Sequence, residues 1–151
     1  MPNKANRKGT SGSSLGFSKY NNKKSWDETL LRTWDSMAER ERYYHELLPM
    51  VKAGLITDLE CQPQIHMTHA RIGYKPDFYY IEDGRPVYED VKGVETPVFR
   101  IKQRLWKHYG PGILRVTKRA GKNKGFKTVK EIMPIERDKK CKDSGKNTNE
   151  Q

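Results

Sequence analysis

The dipeptide Asp83-Gly84 constrains this chain more than any other pair of residues. It lies between two short runs rich in Tyr, Phe, Val and Ile, residues 74–81 and 86–93. An Asp-Gly pair between β-rich runs is a strong hairpin signal, because both central residues of a type I′ turn need φ > 0. With Asp83-Gly84 at the tip the register follows. Glu82 faces Arg85, Ile81 faces Pro86, Tyr79 faces Tyr88 and Asp77 faces Asp90. Directly opposed residues share a face, and Lys92, two residues past Asp90, lies on it too. The opposite face carries Phe78, Tyr80, Val87 and Val91 and is expected to pack on a core. Glu89 interrupts that face, and nothing in the sequence accounts for it.

Two carboxylates side by side on a sheet repel unless a proton or cation sits between them. Paired carboxylates suit Mg²⁺, or Mn²⁺ in its place. A lysine beside them can orient or deprotonate a water, or neutralise charge developing on a phosphate. Asp77, Asp90 and Lys92 therefore read as a metal-dependent phosphodiester-cleaving site. The same charges also suit the solvated outer face of a plain hairpin.

Pro76-Asp77 followed by Asp90-Val91-Lys92 resembles the PD-(D/E)xK signature of the restriction-endonuclease-like nucleases. The span from about Trp34 to Trp106 also resembles a family of small phage-encoded, Holliday-junction-resolvase-like nucleases. The matching words are Asp35-Ser36, Glu39-Arg40-Glu41-Arg42-Tyr43, Ala53-Gly54-Leu55-Ile56, Leu59-Glu60-Cys61-Gln62-Pro63 and Glu89-Asp90-Val91-Lys92-Gly93. The resemblance implies a mixed α/β domain with a restriction-endonuclease-like core, a β-sheet flanked by helices. It implies Mg²⁺ held by Asp77, Asp90, the Val91 carbonyl and an acid from the preceding helix. Periodicity leaves Glu39 and Glu41 both open for that acid; the resemblance implies Glu39.

The remaining chain is read around this hairpin. Ser25-Trp26-Asp27-Glu28 fits a capping box and predicts a helix from there. Leu30, Trp34, Met37, Tyr44, Leu48 and Val51 would form its apolar stripe, with Pro49 breaking or kinking it and Gly54 ending it. Alternation from Leu59 to Thr68 predicts a half-buried strand, with Pro63 marking an edge or bulge. His66 and His69 join no ligand cluster and read as surface residues. Thr96-Pro97 predicts a helix start. Val98, Ile101, Leu105 and Tyr109 are expected to line its buried face, with Arg100 or Lys102 in reach of a phosphate; a solvated basic face is the other reading of those two. Strands are expected over 113–117 and 126–132.

The net charge of +11 on 151 residues is uneven. Residues 1–24 hold six Lys/Arg and no acid, and residues 118–151 hold eleven Lys/Arg against five acids, while the middle is near neutral. Basic arms around a near-neutral core suit a nucleic acid. Residues 1–24 read as a disordered basic arm, 25–135 as the nuclease domain and 136–151 as a charged disordered tail. Cys61 and Cys141 make neither a disulfide framework nor a zinc site, and a reducing cytoplasm, of a phage-infected or lysogenic bacterium, fits them. No apolar run reaches membrane-spanning length.

The expectation is thus a Mg²⁺-dependent DNA endonuclease, a resolvase of branched DNA such as four-way junctions. Paired cuts on symmetric branches imply a homodimer. The alternatives are a nicking, restriction-type or recombination-associated nuclease, or a non-catalytic nucleic-acid-binding protein.

Overall fold

The computed structural model describes residues 23–136, so most of the basic arm and all but the first residue of the charged tail lie outside the described residues. The described chain falls into two compact units, one ending at Met37 and one beginning at Ala38.

The first unit is a hairpin, not the helix that the capping box predicts. Strand β1 (Ser25–Asp27) pairs antiparallel with β2 (Arg32–Trp34). The reason is Asp27. Its Oδ1 accepts from the amides of Thr29 and Leu30, at 3.0 and 3.2 Å, and its Oδ2 accepts from Trp34 Nε1 at 2.9 Å. A side chain that takes up local amides offers the backbone an alternative to the helix. Leu31, at φ 48°, completes the turn.

The second unit is a mixed α/β domain. Helix α1 (Met37–Arg42) runs through a π-helical turn (Tyr43–Leu47) into α2 (Leu48–Lys52). Pro49 does not break this run. The amide of Leu48 bonds to the Tyr43 carbonyl, so the turn before the proline is widened, as such bulges are. Gly54, at φ 71°, ends the run: its amide bonds to Val51 and that of Leu55 to Met50, both at 3.0 Å. This is a Schellman closure, and it needs the left-handed glycine.

A five-stranded sheet follows, in the order β3 (Ile56–Cys61), β6 (Phe78–Glu82), β7 (Arg85–Val91), β8 (Ile113–Arg119), β9 (Phe126–Ile132). Only β7 and β8 are parallel, joined through α3 (Pro97–Tyr109). The β6–β7 hairpin has the register read from Asp83-Gly84, with Glu82 opposite Arg85, Ile81 opposite Pro86 and Tyr79 opposite Tyr88. Asp83 and Gly84 both have positive φ, 50° and 71°.

The continuous strand expected from Leu59 to Thr68 is broken. Asp58 and Gln62 take positive φ, and the pairing of β3 with β6 shifts between Thr57 and Glu60. Gln62 gives its amide to the Asp77 carbonyl at 2.8 Å, and Pro63 has no amide with which to continue the ladder. The chain then makes a separate ribbon of β4 (Ile65–His66) and β5 (Gly73–Tyr74). Lys75, Pro76 and Asp77 separate β5 from β6, so residues 74–81 are not one strand.

Both sheet faces of the second unit are covered, and β7, the middle strand, is buried from Val87 to Val91. On one face Tyr88, Leu114 and Val116 pack with Phe99 and Trp106 of α3, and with Met67, Tyr74 and Ile132. Trp106 meets Tyr88 edge-on at 5.0 Å between centroids, and its Nε1 donates to the Gly112 carbonyl at 2.7 Å. The helix therefore buries Phe99, Gln103 and Trp106; of the stripe expected from spacing only Leu105 packs against this core, and Val98, Ile101 and Tyr109 are exposed. On the other face Phe78 stacks with Tyr43 of the π-turn, and Tyr80 and Val87 are fully buried.

Candidate active site

Asp77, Asp90, Lys92 and Glu39 gather at one end of the β6–β7 hairpin. Asp90 is on the inner strand, 1% exposed, and shares the α3-side face with Tyr88. Its Oδ2 accepts from the Tyr74 hydroxyl, and its Oδ1 makes an ion pair with Lys92 Nζ at 2.7 Å, without another hydrogen-bond partner. Lys92 also lies over the Phe99 ring, its Nζ 4.9 Å from the centroid.

Asp77 departs from the simple facing pair expected of it. It precedes β6, and its amide bonds to the Glu89 carbonyl at 2.9 Å, which is out of step with the ladder. Its Oδ2 accepts from the Val91 amide at 2.7 Å, so this side chain replaces a ladder carbonyl at the end of β7. Val91 thus contributes its amide to the orientation of Asp77. Burial pushes the Asp77 carboxyl well above the usual range, and the charges of Asp90 and then Glu39 push it further. The Val91 hydrogen bond and the Lys92 charge only partly offset this.

Glu39 and Glu41 separate clearly. Glu39 is 6% exposed and acts on Asp77 and Lys92. Glu41 is half-exposed and pairs with Arg119. Burial pulls the Lys92 ammonium down, but Asp90, Asp77 and Glu39 outweigh it, and its pKa sits above the ordinary lysine value. Lys92 is thus held as the ion-pair partner of Asp90.

Tyr74 and Arg42 are the residues that the sequence did not bring forward. The Tyr74 hydroxyl is pushed upward by burial and by Asp90, so it stays a donor to that carboxylate. Tyr74 heads the tyrosine-rich stretch, but its contact with Asp90 depends on the β4–β5 ribbon, which spacing did not show. Arg42 explains Glu89. Arg42 Nε and Nη2 donate to the two Glu89 oxygens at 2.6 and 3.0 Å, and the Tyr80 hydroxyl and Thr117 Oγ1 add donors at 2.6 and 2.9 Å. Glu89 is fully buried and belongs to this network on the opposite sheet face.

Of the two cations expected to touch nucleic acid, Lys102 lies 5.0 Å over the ring of Tyr74, whose hydroxyl bonds to Asp90. Arg100 is exposed, 3.9 Å from Glu95, and is not brought to the acids. His66 and His69 are both exposed.

The donor set fits a hard divalent cation in chemistry. Three carboxylates share the end of the sheet with one lysine, and carboxylate oxygens are what Mg²⁺ takes. Among the described residues no group of three or more His, Cys, Asp or Glu is placed so that all could hold one metal ion. Mg²⁺ does not need such a group, since it commonly binds through one or two carboxylates and keeps waters for the rest. No helix among the described residues is long and apolar enough to cross a membrane.

Residues 17–125 match the model of a protein family described as of unknown function, DUF1064. No curated protein and no solved structure matches the chain.

Proposed function

We propose that this chain, which belongs to the DUF1064 family, is a Mg²⁺-dependent endonuclease that hydrolyses phosphodiester bonds in DNA, with branched DNA such as four-way junctions as substrate. The observation that carries this reading is the crowding of Asp77, Asp90 and Glu39 around a single lysine, with Asp77 forced above its ordinary pKa. Uncompensated negative charge is costly when buried, and a divalent cation relieves it. The mixed sheet with helices packed on it supports the reading too, since such a core is what the PD-(D/E)xK resemblance implies.

Asp77 and Asp90 would hold the ion, with Glu39 beside them. Bound there, Mg²⁺ or Mn²⁺ supplies polarisation of the phosphate and stabilisation of the leaving oxygen. The protein's own groups do the rest. The Val91 amide fixes Asp77, and the Tyr74 hydroxyl fixes Asp90. Lys92, paired with Asp90, would face charge that develops on the phosphate and orient the attacking water. A homodimer would place two such sites on a symmetric junction, in the cytoplasm of an infected or lysogenic bacterium.

One observation favours a second reading, a non-catalytic nucleic-acid-binding protein. Both Asp90 oxygens already face protein donors, Tyr74 and Lys92. A cleavage panel of four-way junction, linear duplex and single strand, with Mg²⁺ or with chelator, separates the two. Junction cutting that needs Mg²⁺ supports the nuclease. Cutting of every shape alike would replace the resolvase with a general nuclease, and no cutting of any shape would leave the binding protein.

A further inference from the structure

Away from the acids, α3 turns a second charged face to solvent. Arg100, Arg104 and Lys107 recur at helical spacing and are all exposed. They line a groove of about 370 Å³ whose far wall is Lys130 and Ile132 of β9 and whose floor is Gln103. Gln103 is 5% exposed and organises this floor. Its Nε2 donates to Glu95 Oε1 at 2.7 Å, and its Oε1 accepts from Lys130 Nζ at 2.7 Å. The amide thus engages the acid at the groove and holds the Lys130 ammonium at its edge. Among the described residues no carboxylate pairs with Arg104 or Lys107.

We propose that this groove between α3 and β9 is a binding track for the phosphodiester backbone of duplex DNA, separate from the acid site and served by Arg100, Arg104, Lys107 and Lys130. The choice of DNA rests on the nuclease reading. The dimensions fit a row of phosphates. From Arg100 to Lys107 the helix rises about 10 Å, long enough for its cations to meet more than one phosphate of a strand. The same helix runs past the acid site, with Phe99 under Lys92 and Lys102 over Tyr74. Arg100 and Lys102 divide the work: Arg100 belongs to the track, and Lys102 to the acid site.

The test is binding of a fluorescein-labelled duplex to the full chain in chelator, where nothing is cut, across a salt titration. The triple variant Arg100→Gln, Arg104→Gln, Lys107→Gln is compared with a control, Lys52→Gln, Arg71→Gln, Arg85→Gln, which removes the same charge from other exposed surfaces. Thermal unfolding verifies that each variant is folded. The expected result is a track variant bound about tenfold or more weakly, with a log–log salt slope shallower by about 2–3, and a control close to wild type. Equal losses in the two variants would show that net charge alone matters and would overturn the track. Wild-type affinity in the track variant would overturn it as well, as would wild-type chain that binds anionic phospholipid vesicles but no duplex. Cleavage is scored apart: a weakened track variant of a chain that never cuts DNA supports the track and removes the nuclease.

Discussion

Tyr74 shows what a single hydroxyl contributes. Its ring packs edge-on against Trp106 at 5.7 Å, and its oxygen donates to Asp90. Tyr74→Phe keeps the packing and frees the carboxylate. Groups that orient a metal-binding carboxylate typically account for about 10–100-fold in metal affinity or activity. The expected outcome is a loss in that range, with a higher Mg²⁺ requirement and unchanged duplex affinity, read from a Mg²⁺ titration of cleavage. At the other end of β6, Glu82 is held below the usual carboxylate range by its hydrogen bond to Arg115, whose Nη2 lies 2.5 Å away. A depressed carboxylate stabilises the fold above its unfolded pKa, and this is lost as pH falls through the folded value. Glu82→Gln should flatten the acid limb of a stability–pH curve below about pH 4.5. The pair is partly exposed, so the effect at neutral pH stays within about 1 kcal/mol.

The elements are joined by a few buried polar contacts as well as by the apolar core. Arg42 of α1 is tied to Glu89 of β7 by two hydrogen bonds, both side chains being buried. Removing one member of such a pair leaves a buried charge and typically costs about 3–5 kcal/mol. Arg42→Ala should lower stability by that much in denaturant unfolding, and Glu89→Ala similarly. Gly112 is a second constraint: a Cβ there would meet the Pro86 carbonyl oxygen at 2.5 Å, so Gly112→Ala must displace the entry to β8. How legible these elements were in the sequence depended on whether their cause was local. The β6–β7 register follows from two left-handed turn residues, and the start of α3 from Thr96, whose Oγ1 accepts from the Phe99 amide. The first hairpin is not legible from the Ser25 capping box because Asp27, not Ser25, takes the amides. The buried face of α3 is only partly legible, through Leu105, because apolar spacing is satisfied equally by an exposed stripe, while the helix packs mainly through Phe99 and Trp106 with a buried glutamine between them. Asp77, Asp90 and Lys92 stood out because they lie on one hairpin. Tyr74 and Arg42 did not, because their partners come from distant segments.

At the scale of the whole molecule, charge and chemistry are divided. The near-neutral middle of the chain carries the acids, and the excess of +11 lies toward the two ends. Deleting residues 1–24, which hold six Lys/Arg, should weaken duplex binding and flatten its salt dependence, because fewer counterions are released. Such arms supply affinity without sequence preference. The chemistry should survive their loss when DNA is in excess. The central claim is that the acids and Lys92 act on a phosphodiester, and the most direct measurement is the rate of junction cleavage in Mg²⁺ by wild type, Lys92→Ala and Asp90→Asn. A group used in the transition state lowers turnover without weakening ground-state binding. Lys92→Ala should therefore abolish cutting with DNA affinity nearly intact. Asp90→Asn should also abolish it while binding DNA as tightly or more tightly, since a negative charge facing the phosphate is gone. Cleavage at the wild-type rate by both variants would contradict the account and place the chemistry elsewhere in the chain.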